Sequence, residues 1–276
     1  MVGAGFHVHA LPPLPLPGPM VIYRVASVQL KPCVGDGVGA MTEQHRRATD
    51  AAGAALRLRC GTEEFAAHID TLVIAGWAGR DADAVHHHIE ELRQLGVRPP
   101  RTTPLFYRLA ASLLTTAGGI EVVGRGSTGE AEAVLLSLPG GMFVGVGSDH
   151  TDREAEAAGV TWSKQMCAKP IGGEVWRYDE VARHWDALVL SSQVLQGGVW
   201  RPYQEGSVAG LRKPDDLVGR YAGAGGLPPG TAMYLGTLPV MGGIAWADGF
   251  EVALDDPVLG RRLVHRYAIE CLPIAD

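Results

Sequence analysis

The spacing of apolar and polar positions becomes regular only near Ala54. Upstream, residues 1–50 hold a Leu-Pro run, a loose Gly/Val stretch and a polar segment over 41–50, and no period of 2 or 3.6 persists through them. This segment is expected to be a flexible extension, or an over-called start with Met41 as the true first residue. Beyond it, residues 56–60 alternate apolar and basic side chains, and 70–75 (DTLVIA) form a short apolar run that ends at Gly76, so both are expected strands. The clearest helix spans 81–95. Asp81 or Asp83 can cap it, Val85, Ile89 and Leu92 recur on one face, and Gly96, Pro99 and Pro100 stop it.

The rest of the chain is mostly strand pattern. Apolar runs over 120–123, 131–138 and 142–146 are separated by glycine-rich turns, and further strands are expected over 188–194, 200–203, 232–235 and 250–254. A second helix is expected over 178–186. The 37 glycines and 18 prolines fit many short strands and turns better than long helices. These features define one domain over 51–276 of the α+β class, mainly β, with a few short helices.

Charge narrows the function classes. Lys and Arg number 24 against 30 Asp and Glu, a net −6, which argues against a nucleic-acid partner because phosphate binding needs a cationic surface. No apolar run reaches the 18 residues of a membrane span, and the proline-broken N-terminus lacks the positive region of a signal peptide. A cytoplasmic protein with four reduced, widely spaced cysteines is the expectation.

Two familiar patterns fail on their context. Gly124, Gly126 and Gly129 spell G-x-G-x-x-G after an apolar run, but the residues that follow are too short for a crossover helix before the next turn. His86, His87 and His88 are consecutive, and on a helix such neighbours point about 100° apart, so they cannot converge on one ion.

One carboxylate group stands out. Glu130 and Glu132 lie two apart in a strand pattern, so both leave the same face, and the segment runs on into apolar residues. A turn over 139–141 returns the chain to Asp149, which a hairpin would set beside them. Carboxylates so placed repel one another unless they are solvated or share a cation. Spacing alone leaves both readings open; if a cation is shared, the oxygen donors suit Mg²⁺ or Mn²⁺.

Read in order, the motifs resemble the fumarylacetoacetate hydrolase superfamily. The E-x-E metal motif is matched by Glu130-Ala-Glu132, and the later aspartate segment by Asp149-His-Thr151-Asp-Arg153. The lysine in a K-S-F context is matched by Lys164, the glutamine by Gln204 in YQEGS, and the T-G-T-P region by LPPGTAMYLGTLP over 227–239. The chain departs from the pattern in a shorter interval from Glu132 to Asp149 and in Thr231, which replaces an aspartate. The resemblance implies a mixed β-sandwich or roll of fumarylacetoacetate hydrolase type, a divalent metal held by Glu130, Glu132 and Asp149, and a homodimer.

What the resemblance implies chemically is C–C bond hydrolysis in a small carboxylate substrate, a 1,3-dicarbonyl or 2-oxo acid, through an enolate. Lys164 would donate to developing negative charge, Gln204 would orient an oxo or carboxylate group, and Thr237 would bind the substrate carboxylate. Arg108 stands where the family often has a substrate-side lysine. On the 81–95 helix, His88 and Glu91 are three apart on one face and could act as a base pair, with His150 as a rival base. Without a base, the same residues would serve a decarboxylase or tautomerase. A non-catalytic metabolite-binding form of the fold is the alternative from another class.

Overall fold

A computed structural model describes residues 53–94 and 99–275. The expected extension over 1–50 lies outside these residues, as do Leu95 and Gly96. The chain opens with a hairpin of β1 (Ala54–Cys60) and β2 (Glu63–Ile69), followed by β3 (Thr71–Gly76). Helix α1 (Ala82–Gln94) begins where the sequence indicates: Asp81 Oδ1 accepts the backbone N–H groups of Asp83 at 2.9 Å and Ala84 at 3.1 Å.

Strands β4 (Leu105–Leu109), β5 (Leu114–Thr115), β6 (Gly119–Val123) and β7 (Ser127–Thr128) lead into a long hairpin, β8 (Ala131–Leu138) with β9 (Gly141–Ser148). The G-x-G-x-x-G segment therefore opens no helix and runs through β7 into β8. Next come β10 (Thr151–Asp152), the short helices α2 (Arg153–Glu156) and α3 (Val160–Gln165), β11 (Lys169–Pro170) and β12 (Trp176–Arg177). The helix expected over 178–186 divides into α4 (Tyr178–Val181) and a 3-10 segment (Ala182–Ala187), with His184 off helical geometry at φ −121°.

The chain ends in β13 (Val189–Gln196), β14 (Val199–Ser207), helix α5 (Pro214–Ala222), β15 (Thr231–Tyr234), β16 (Gly249–Asp256) and β17 (Arg261–Leu272). The sequence pattern predicts none of β2, β4, α5 and β17, nor the short helices α2 and α3.

Two sheets carry the architecture. A six-stranded sheet has the order β12-β9-β8-β15-β3-β4, and a five-stranded one β14-β13-β16-β17-β6. The first is covered on both faces. Val73, Ala133, Leu135, Val144 and Met233 share a core with Leu190, Phe250, Val252, Leu254 and Tyr267 of the second sheet. On the opposite face Leu72, Ile74, Val134, Leu136 and Tyr234 pack with Leu56, Leu58 and Ile69 of the β1–β2 hairpin. This explains the unbroken run AEAVLLSL in β8, every residue of which is buried: a strand covered on both faces needs no polar alternation.

Among the described residues, Cys60, Cys167 and Cys271 form no disulfide, and no helix is long and apolar enough to cross a membrane. Leu136→Ala should lower the unfolding free energy by about 2–5 kcal/mol in urea titration, because it opens a cavity in the middle of β8. The exposed Arg57→Ala on β1 should change it by less than about 0.5 kcal/mol.

Candidate metal centre

The β8–β9 hairpin sets the geometry of the site. Its antiparallel register pairs Ala131 with Ser148, and one step further out the Asp149 N–H donates to Glu130 O at 2.9 Å. Glu130 and Asp149 therefore stand opposite each other at the open end of the hairpin, and Glu132 follows on the same face. One oxygen from each of Glu130, Glu132 and Asp149 lies within 4.8 Å of the others. Gly147 faces Glu132 across the ladder. A Cβ there would lie 2.7 Å from Pro170 O and 2.8 Å from the Tyr234 hydroxyl, so only glycine fits.

The surrounding cations are equally specific. Lys164, on α3, donates to Glu130 Oε2 at 3.2 Å and to Asp149 Oδ2. Arg153 Nη2 lies 2.7 Å from Glu130 Oε1. Burial alone would raise the Glu130 carboxyl, but the Arg153 and Lys164 charges bring it down to about 2. Glu132 has no such partner, although one of its oxygens accepts the Gly236 N–H at 2.6 Å. Burial, reinforced by the charges of Asp149 and Glu130, pushes it well above the usual carboxylate range. Lys164 is also buried, yet Asp149 and Glu130 hold its ammonium above its ordinary value.

Lys169 has no counterpart in the sequence reading. It is fully buried and donates to the carbonyls of His150 at 2.5 Å, Lys164 at 2.5 Å and Cys167 at 3.1 Å. Its Nζ also lies 3.3 Å from Asp149 Oδ1, an oxygen that makes no hydrogen bond. The ammonium thus ties the Asp149 segment to the one that carries Lys164. Arg153 was within the aspartate motif and could have been found there; nothing in the local sequence singles out Lys169.

Other expected site residues fall into different roles. Gln204 is spent on internal bonds: Oε1 accepts from Ala131 N and Ser192 Oγ, both at 2.9 Å, and Nε2 donates to Thr237 Oγ1 at 2.8 Å and Leu238 O at 2.6 Å. Thr237 gives its hydroxyl proton to Ala131 O at 2.7 Å. Both brace the loop after β15 against β8. Arg108 is exposed and leaves the face of β4 opposite to Tyr107, whose ring stands 6.0 Å from Lys164 Nζ; this takes it away from the carboxylates.

His150, the rival base, is buried. Its Nδ1 is 3.1 Å from the Tyr267 hydroxyl and its Nε2 is 3.1 Å from Ser127 Oγ. Tyr267 donates to Ser148 Oγ at 2.8 Å, which leaves Nδ1 as the protonated nitrogen and Nε2 as an acceptor from Ser127. Burial, with Lys169 and Arg153 nearby, brings the imidazole down to about 3. His88 and Glu91 fall within α1, but their side chains lie outside the described residues.

A protein from Oleispira antarctica assigned as a fumarylacetoacetate isomerase/hydrolase superposes with a TM-score of 0.55 at 18% identity, over 77% of this chain and 98% of its own. A 2-keto-3-deoxy-D-arabinonate dehydratase complexed with magnesium and 2,5-dioxopentanoate gives 0.53 at 16% identity, over 87% and 85%. A yeast protein of the fumarylacetoacetate hydrolase family gives 0.52 at 14% identity, over 75% and 95%. The chain thus has a fumarylacetoacetate hydrolase-like fold. It belongs to the family described as "Protein of unknown function (DUF2848)", which matches residues 75–267. No curated protein sequence matches it.

The folded state favours neutral His150, so its contribution to stability is complete above the unfolded value of 6.5 and is lost as pH falls toward about 3. Urea midpoints of wild type should fall across that window. In His150→Gln, which has no group titrating there, that part of the decline should be absent.

Proposed function

We propose that the chain is a divalent-metal-dependent enzyme that cleaves a C–C bond in a small 1,3-dicarbonyl or 2-oxo acid of the acylpyruvate kind. The observation that carries this reading is the convergence of Glu130, Glu132 and Asp149 in a cluster that also holds Lys164. The residues fit a hard divalent cation. Their donors are carboxylate oxygens, and the neighbouring charges make ionised Glu132 costly without a further positive charge. Mg²⁺ or Mn²⁺ is the assignment.

Such an ion, when bound, polarises the oxygens of a chelating substrate and lowers the cost of negative charge on them. The three carboxylates hold it. Lys164 keeps its proton and supplies positive charge beside the position where negative charge develops. In hydrolysis, the base assigned to His88, with Glu91 as its expected partner, takes a proton from water while the hydroxyl adds to the acyl carbon. The electron pair of the broken C–C bond passes to the enolate, which is protonated and leaves as the 2-oxo acid, while the acyl part leaves as a carboxylic acid. The magnesium-bound dehydratase relative supports oxo-acid chemistry on this fold.

One observation favours a second reading, decarboxylation or tautomerisation of a 2-oxo acid. Neither of those reactions needs an attacking water or a base to activate it, and His150, the rival to His88 in that role, has both ring nitrogens engaged in hydrogen bonds.

Mn²⁺ at 100 times its dissociation constant should stabilise the wild-type chain by about 2.7 kcal/mol in thermal unfolding, and oxalate should add to the shift. Glu130→Ala/Glu132→Ala should abolish both effects. Mn²⁺ should also bind more tightly as pH rises, because Glu132 must lose its proton first. A folded wild type that responds to neither ligand sinks the enzyme reading. His88→Ala separates the two chemistries: acylpyruvate hydrolysis should drop by about 100-fold or more. Unchanged turnover of oxaloacetate in that variant would assign the decarboxylase.

A further inference from the structure

Among the described residues, Trp77 is the one non-glycine residue in the left-handed backbone region, at φ 58°. A tryptophan does not adopt that conformation unless its surroundings impose it. On one side, its indole N–H donates to the Tyr107 hydroxyl at 3.3 Å, and the Tyr107 ring faces the Lys164 ammonium. Gly76 lies so close to that ring that a Cβ would come within 2.6 Å of it. On the other side, Ala78 abuts Gly236, where a Cβ would lie 2.8 Å from the Ala78 methyl, and Gly236 N–H holds Glu132. Segment 76–79 therefore lies between the Tyr107 ring, which faces Lys164, and Gly236, which bonds Glu132. Tyr107 is buried, while Trp77 keeps part of its surface open.

We propose that Trp77 and Tyr107 form an aromatic wall of the substrate pocket. The indole lies against a flat, conjugated acid, a 2-oxo or 1,3-dicarbonyl acid in its enol form, and Tyr107 donates its hydroxyl proton to a substrate oxygen. The Tyr107 oxygen accepts from Trp77, so its own proton is available. The inference rests on the metal-dependent reading above and adds a shape to it: the substrate is planar beyond the two oxygens that a metal would chelate. The left-handed backbone then aims the indole, since an extended or right-handed residue 77 would send its side chain elsewhere.

The test uses the full chain with Mn²⁺ and two probes in calorimetric titration: oxalate, which has no acyl tail, and acetylpyruvate, which has a conjugated one. Trp77→Gly relieves the backbone, so it should unfold within a few degrees of wild type and bind Mn²⁺ and oxalate unchanged. Its acetylpyruvate affinity should fall by about ten-fold or more. Trp77→Phe should recover most of that loss, and Tyr107→Phe should show a several-fold loss confined to acetylpyruvate. Equal losses for both probes, or no loss for acetylpyruvate, overturn the wall while leaving the metal reading in place. A wild type that binds Mn²⁺ and oxalate but not acetylpyruvate does the same. A wild type that binds no Mn²⁺ overturns the metal reading and the wall with it.

Discussion

The Lys164–Asp149 ion pair is the interaction on which the site depends. It is formed away from water, where an unpaired charge is expensive and removing one partner strands the other. The pair holds only if the loop after β9 and helix α3 stay in register, which is the task of Lys169. Every hydrogen bond from Lys169 goes to a backbone carbonyl of these segments or of the turn that follows α3. The cations are shared unevenly: Arg153 and Lys164 serve Glu130, Lys164 and Lys169 serve Asp149, and Glu132 has one backbone N–H. That asymmetry makes Glu132 the carboxylate whose ionisation depends most on what else is bound.

The carboxylate trio was legible because it follows from short-range rules. A period of 2 put Glu130 and Glu132 on one face, and a tight turn over 139–141 returned Asp149 to their level. β8 was legible for a related reason, its unbroken apolar run. Helix α1 was legible from its cap and its stop signals. None of these needs knowledge of a distant partner.

What escaped depends on packing at long range. In β17 the inward set includes His265 and Tyr267 beside Leu263 and Ile269, so the strand reads as polar although its alternation is regular. Helix α5 carries Pro214 at its start, acidic residues in its first turn and Arg220 in its last, signals that were present but sit in a short stretch interrupted by Gly219. Gln204 and Thr237 lie where the family motif puts them, yet their bonds close on each other and on β8. Sequence order gives their neighbourhood, and only the hydrogen-bond partners reveal that their polar groups are already used.

The strand order also bears on how the chain can be made. β15 lies between β8 and β3, and β17 between β16 and β6, so each sheet has a late-synthesised strand in its interior rather than at its rim. On the ribosome, β3 and β8 emerge long before the strand that joins them, and β6 waits for β17 across half of the chain. The six-stranded sheet must therefore close after translation has passed residue 234 and the five-stranded one after residue 272, and until then their gaps are edges that a chaperone has reason to cover.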